Sequence, residues 1–208
     1  QAAVVGVIAG PLTIVTQLLG AEAALEYAID EPDLFVKLLG VATKCTVAIG
    51  SALIHHGIHV PLIFDPSATP EFVPPQFFRE YEMPNLRIIA ESLKANGAEA
   101  IWLHIAGDVR SILEYYPRIG VDMCNFDYSV PAGEIVKKVP GICVDGNIKP
   151  FLFIDGTAET IEREANALID LFAPRGGFIL SSGCEIPPES TPETVEALVT
   201  AAKRGPLP

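Results

Sequence analysis

The sequence has few basic residues and no cluster of them. Its 208 residues include 14 Lys and Arg against 26 Asp and Glu, which gives a formal net charge of -12. Such a surface repels phosphate backbones, because binding to nucleic acid depends on cationic side chains. The composition therefore excludes nucleic acid as a partner and favours a small ligand or a protein that carries one.

Cysteines are scarce and form neither a disulfide framework nor a Cys-x-x-Cys motif. The four of them are widely spaced, at Cys45, Cys124, Cys143 and Cys184. Scattered cysteines are typical of reduced thiols, so we expect a cytoplasmic protein. No uninterrupted apolar stretch reaches the roughly 18 residues that a membrane helix needs, and we predict no membrane partner.

The sequence also lacks an initial methionine, and it starts inside an apolar run, QAAVVGVIAG. A chain of this length, with half of its residues hydrophobic, can bury one full core. We therefore expect residues 1–208 to be a single domain that forms the C-terminal part of a longer protein.

Six short apolar runs alternate with segments of helical periodicity. The predicted strands are Ala3–Ala9, Ile58–Phe64, Ala98–His104, Val121–Phe126, Gly141–Val144 and Gly177–Leu180. The predicted helices are Ile14–Tyr27, Asp33–His56, Phe77–Asn96, Val109–Arg118, Pro131–Val139, Thr157–Phe172 and Pro192–Lys203. Because strands that are almost wholly apolar are typical of sheets covered on both faces, this order predicts a parallel sheet with helices outside.

Two architectures fit a repeated strand–helix order. A doubly wound sheet normally has a glycine-rich phosphate-binding turn after its first strand, whereas Pro11 interrupts that turn here. A (β/α)8 TIM barrel fits better, and we predict about six of its eight units, with the N-terminal portion missing.

Polar residues follow the ends of the predicted strands. Active residues of barrels come from the carboxyl ends of several strands, so we expect these side chains to converge on one mouth. They are Thr13, Asp65, His104, Asn125, Asp127, Asp145, Asn147 and Cys184. Taken singly, each has a plain structural alternative: a core histidine, Asp and Asn turn caps, and a buried thiol.

Several segments of the chain resemble the uroporphyrinogen decarboxylase superfamily and, within it, the cobamide-dependent methyltransferases. They are GPLTIVTQLLG, IFDPSATPEFVPPQFFREYEMP, WLHIAGD, GNIKP and SSGCEIPPESTPETVEALV. The resemblance implies a TIM-barrel methyltransferase that takes a methyl group from methylcobalamin, presented by a corrinoid-binding protein, and passes it to a small-molecule acceptor. It is also compatible with a homodimer.

The thiol-methylating members of this family bind zinc through a His-x-Cys pair and a distant Cys. Here His104 and Cys184 match the histidine and the distant cysteine, but Ala106 replaces the first cysteine. Tetrahedral zinc needs three protein ligands besides the substrate, so we expect no metal site. Because zinc in that branch activates a thiol, its loss favours tetrahydrofolate as the acceptor over a thiol such as coenzyme M.

The resemblance and the strand-end pattern together give a candidate site. We predict His104 and Asp65 as catalytic residues, with His104 shaping the site or handling a proton. The predicted substrate-binding residues are Asp127, Asn147, Asn125, Asp145, Thr13 and Cys184, among which carboxylates and amides suit the hydrogen-bonding edge of a pterin. Two alternatives stay open: a uroporphyrinogen-type decarboxylase and a non-catalytic module that docks a corrinoid protein.

Overall fold

The computed structural model describes residues 2–205, and its strands and helices alternate along the chain. The strands are β1 (Val5–Ala9), β2 (Val60–Phe64), β3 (Trp102–His104), β4 (Met123–Phe126), β5 (Cys143–Ile148) and β6 (Phe178–Ser182). The helices are α1 (Pro11–Leu19), α2 (Ala21–Asp30), α3 (Pro32–His55), α4 (Pro75–Phe77), α5 (Met83–Ala95), α6 (Tyr116–Ile119), α7 (Ala132–Lys138), α8 (Leu152–Asp155), α9 (Ala158–Phe172) and α10 (Pro192–Arg204).

All six strands form one parallel sheet in the order of the sequence, β1 to β6. One layer of the register runs through Ile8, Ile63, Leu103, Cys124 and Val144, and these side chains are buried. Sequential parallel pairing with an intervening helix is the arrangement of a TIM barrel, of which the chain forms a part. The predicted fold class is confirmed.

The predicted helix bounds are confirmed closely for α3, α7, α9 and α10 and are wrong at three other places. Ile14–Tyr27 is two helices, because Gly20 separates α1 from α2 with a φ of 87° that a residue with a side chain rarely adopts. Residues 109–112 are not helical, and the segment forms only a 3-10 turn at Leu113–Tyr115 followed by α6.

The third correction concerns the segment predicted as one helix at Phe77–Asn96. The structure divides it into α4, a π-helical turn at Phe78–Glu82, and α5. Pro84 lies in the first turn of α5 and has no N–H group with which to continue the preceding hydrogen-bond ladder. The wider turn places Glu82 inside the protein.

Helix α3 buries a different face from the one that its sequence predicts. The predicted core-facing stripe includes Leu34, Val41 and Cys45, which are exposed. The buried face carries Phe35, Leu39, Ala42, Thr43, Thr46 and Gly50. Both stripes have helical spacing, so periodicity alone did not distinguish between them.

Helix α3 is also long and apolar enough to cross a membrane by length and composition, and α1 with α2 meets the same criterion as a pair bent by 107°. Core helices of water-soluble proteins meet this criterion as well. Here one face of α3 packs on β1 and β2 and on α5.

Candidate functional site

The concave face of the sheet holds a cavity of about 420 Å³ at the carboxyl ends of the strands. Its polar lining comes from neighbouring strands and from the segment after β6. The lining residues are Val7, Leu62, Phe64, Trp102, His104, Asn125, Asp145, Ser181, Ser182, Cys184 and Glu185. Because His104, Asn125 and Asp145 lie opposite one another in the β3–β4–β5 register, their side chains form one layer of this face.

His104 ends β3 and lies beside Phe64, with the two rings 5.2 Å apart in an edge-to-face arrangement. Its Nε2 atom is buried and has no hydrogen-bond partner among the described residues. Burial lowers the pKa of His104, while Asp127 and Glu185 act in the opposite direction. The imidazole is therefore neutral at pH 7, and His104 lines the cavity although its Nε2 atom is buried.

Asn125 and Asp145 form a buried pair beside His104. The side-chain amide of Asn125 donates to Oδ2 of Asp145 and, at 3.4 Å, to the backbone carbonyl of Ser182. Burial raises the pKa of Asp145 to about 6, although the hydrogen bonds from Asn125 and Ser181 oppose this shift. Oδ1 of Asn125 is buried and has no hydrogen-bond partner within residues 2–205, so the pair includes an unpaired acceptor next to a carboxylate.

Cys184 lies beyond the end of β6 as a half-buried free thiol and lines the same cavity. The hydroxyl group of Ser182 donates to the backbone carbonyl of Cys184 and fixes this turn. The structure therefore brings together four of the predicted residues: His104, Asn125, Asp145 and Cys184.

Asp127 and Asn147 instead fix the loop after β4. Asp127 accepts a hydrogen bond from the backbone N–H of Ser129 at 2.8 Å, as a turn cap does. The amide nitrogen of Asn147 donates to the backbone carbonyls of Asp127 at 3.1 Å and Val130 at 2.8 Å. A ligand could use only the side-chain oxygen of Asn147, and neither residue belongs to the cavity lining.

Thr13 and Asp65 are also outside the cavity lining. Asp65 is fully buried, and its Oδ1 atom accepts hydrogen bonds from both the backbone N–H and the hydroxyl group of Thr13. The two residues come from the expected strand ends, but they bind each other. The Oδ1 atom of Asp65 is thus turned to the start of α1, and the catalytic role of this residue stays a prediction.

Glu82, which the sequence pattern did not identify, is buried beside Asp65. Its burial raises its pKa well above the usual value, and the charge of Asp65 adds to that shift. Glu82 lies on the apolar stripe of its segment, four residues after Phe78 and four before Leu86, both of which are buried. An acidic residue at such a position was the signal that could have identified it.

The residues present do not fit a closed zinc site. His104 and Cys184 both line the cavity, but Ala106 supplies no lone pair. Within residues 2–205, no three His, Cys, Asp or Glu side chains are grouped so as to hold a metal ion. The expectation of no stoichiometric zinc stays a prediction.

A cavity at the carboxyl edge of a parallel, helix-covered sheet defines a TIM-barrel-like α/β domain with its ligand site in the usual place. The lining offers a neutral imidazole, a carboxylate, a carboxamide and a thiol around apolar walls. Such a set can orient a small polar ring and accept a proton from it.

Comparison with known proteins assigns the family. The chain belongs to the uroporphyrinogen decarboxylase (URO-D) family, whose model matches residues 1–205. It is similar to a methylcobamide:CoM methyltransferase, MtaA, from Methanosarcina barkeri, with 29% identity over 95% of this chain and 57% of the relative. It is also similar to a uroporphyrinogen decarboxylase from Trichodesmium erythraeum, with 26% identity over 98% of this chain and 58% of the relative.

A solved structure supports the same assignment. A methyltransferase from Methanosarcina mazei superposes with a TM-score of 0.88 at 26% identity, over 98% of this chain and 59% of that one. The family and fold expected from the sequence are confirmed. The chain spans less than three fifths of the length of each of these relatives.

Proposed function

We propose that the chain transfers a methyl group from a methylated corrinoid to a small acceptor bound in the cavity. The acceptor that we put first is tetrahydrofolate, and a thiol such as coenzyme M comes second. The likeness to MtaA, a methylcobamide:CoM methyltransferase, supports the reaction class. The observation that carries the proposal is the convergence of His104, Asn125 and Asp145 on one cavity.

A methylated corrinoid supplies an electrophilic methyl group, and the chain's own residues prepare the acceptor. Transfer would form a bond from the acceptor nitrogen to the methyl carbon while the bond between that carbon and the corrinoid donor breaks and leaves its electron pair on the donor. The acceptor nitrogen would then release the proton that it carried. We expect His104 to take this proton, because its imidazole is neutral and the residue lines the cavity. We expect Asp145 and Asn125 to bind the hydrogen-bonding edge of the pterin, since a carboxylate accepts hydrogen bonds from paired N–H donors.

The partner in this proposal is a corrinoid-binding protein that approaches the mouth from outside. The start of the segment 70–76 and neighbouring polar side chains border an exposed depression of about 590 Å³. The lining of that depression is Pro70, Glu71, Asp108, Arg110, Ser111 and Glu134. We expect the carrier to dock on this acidic rim, where its methyl group can reach the mouth.

One feature of the described lining favours this activity over decarboxylation of a tetrapyrrole. The described lining of the cavity contains Asp145 and Glu185 but no Lys or Arg. A porphyrinogen carries several carboxylates, which this lining would repel. The replacement of a zinc-ligating cysteine by Ala106 then favours an amine acceptor, which needs no activation by zinc, over a thiol.

Tetrahydrofolate binding tests the site directly. We expect the dissociation constant to rise as the pH falls below about 6, because protonation of Asp145 removes the acceptor for the pterin N–H groups. Affinity is present above that pKa and weakens by about tenfold per pH unit below it. Titration calorimetry between pH 5 and 8 measures this dependence.

The matched variants are Asp145→Asn and Asp155→Asn, the second at an exposed position. The first should weaken binding at pH 7.5 and abolish the dependence, whereas the second should follow the unmodified protein. Equal affinity of all three proteins for tetrahydrofolate at every pH would show that Asp145 does not bind it.

A further inference from the structure

Two carboxyl groups are buried against each other behind the cavity, outside the chemistry described above. Asp65 and Glu82 are both fully buried, and each carboxyl lies within hydrogen-bonding reach of the other. Asp65 follows β2, whereas Glu82 ends the π-helical turn. Buried acids of this kind need a donor or a proton, because an isolated buried carboxylate is very costly.

Asp65 has donors from α1, and this helix needs them. Gly10 is the N-cap of α1 and has no side chain to offer, so Asp65 accepts from the backbone N–H of Thr13 at 2.9 Å. A Cβ atom on Gly10 would lie 2.2 Å from Oδ2 of Asp65, so the glycine leaves room for the carboxylate. Asp65 therefore caps α1 from another element, at the positive end of the helix dipole.

Glu82 has no such donors. Both of its carboxyl oxygens, and Oδ2 of Asp65, have no hydrogen-bond partner among the residues that the structure describes. Two ionised carboxylates in contact would leave all three atoms unsatisfied and would repel each other. A single proton between the two carboxyl groups allows one of them to donate a hydrogen bond to the other. Because Thr13 donates hydrogen bonds to Asp65, ionisation is favoured at Asp65 and protonation at Glu82.

We propose that Glu82 is a positioning residue: it stays protonated, donates its hydrogen to Oδ2 of Asp65, and so holds the cap of α1 in place. The pair ties the turn after β1 to the loop after β2, two segments at the mouth of the barrel. Its effect on turnover rests on the proposed function, whereas its protonation state does not. Both carboxyl groups are fully buried and lie outside the cavity lining.

The charged surroundings of Glu82 are simple. Asp65 is the one titratable group that acts on it within the described chain. Leu12 and Thr13 of α1 act on Asp65 through hydrogen bonds, and neither titrates. The pKa of Glu82 is raised in the folded protein, so its contribution to stability is fully present below the pKa of this group in the unfolded chain. That contribution is lost as the pH rises through the pKa of the folded state.

Thermal and urea unfolding between pH 5 and 8 test the proposal on the whole chain. Glu82→Gln keeps a hydrogen-bond donor and cannot ionise. Relative to this variant, the unfolding constant of the unmodified protein should rise by up to tenfold per pH unit. Glu80→Gln is the matched control, since Glu80 is exposed on the same turn and paired with Arg79. It should follow the unmodified protein.

Parallel pH profiles for the unmodified protein and Glu82→Gln would overturn the proposal. If Glu82→Gln does not fold, infrared spectroscopy of the unmodified protein decides instead. A carbonyl stretch of a protonated, buried carboxylic acid at pH 7 supports the proposal, and its absence contradicts it. Glu82→Met removes the donor at similar length and should lower kcat more than Glu82→Gln does, with KM for the acceptor little changed. Equal kcat for the two variants would also count against a positioning role.

Discussion

At the scale of single residues, the proposed choice of acceptor depends on position 106. The chain folds so that His104 and Cys184 share one cavity, as two zinc ligands of the family would. We expect the unmodified protein to be purified without stoichiometric zinc, because Ala106 contributes no third ligand. Ala106→Cys should raise zinc affinity by more than tenfold, since thiolate is a soft and strong donor. Elemental analysis and competition with a chelator measure both.

The matched control for that experiment is Ala52→Cys, which adds a thiol at an exposed position on α3. It should leave zinc binding unchanged. About one zinc per unmodified chain would put the thiol acceptor ahead of tetrahydrofolate.

Also at the residue scale, sequence patterns identified which positions end strands but not where their side chains point. Asp65 and Thr13 come from the predicted ends, yet they hydrogen-bond to each other. That pairing depends on the close approach of Gly10, which is a tertiary contact. Glu82 was missed because its partner is distant in sequence and its own segment predicts an uninterrupted helix.

At the scale of elements, α3 gives the clearest test of the packing. Leu39 is fully buried on the face toward the sheet, whereas Val41 is more than half exposed. Leu39→Ala should lower the free energy of unfolding by about 2–5 kcal/mol, through lost burial and the cavity left behind. Val41→Ala, the matched control, should change it by less than about 0.5 kcal/mol. Urea unfolding measures both, and the reverse order would show that the other stripe packs on the core.

The strands were easier to predict than the helices. Each of the six apolar runs is a strand, because the side toward the helices admits only apolar groups. The predicted β5 ended at Val144, whereas the strand continues to Ile148 through Asp145, Gly146 and Asn147. Those polar residues suggested a loop. Asp145 instead lines the cavity, and polar residues at a functional site interrupt the apolar pattern that is otherwise typical of a buried strand.

At the scale of the whole molecule, the order of elements was enough to predict a barrel-type sheet, because short parallel pairings leave few topologies. The acceptor could not be predicted in the same way, since it depends on cavity shape and on three or four side chains from distant segments. The strongly acidic composition agrees with the acidic lining and rim and with a partner other than nucleic acid.

The most direct measurement of the central proposal is loss of methylcobalamin absorbance in the presence of the purified chain and one acceptor at a time. We predict turnover with tetrahydrofolate, formation of methyltetrahydrofolate in equal amount, and a much slower reaction with coenzyme M. His104→Ala should lower kcat, while Asp155→Asn should not. Turnover with coenzyme M and none with tetrahydrofolate would contradict the choice of acceptor, and no turnover with either would contradict the methyltransferase itself.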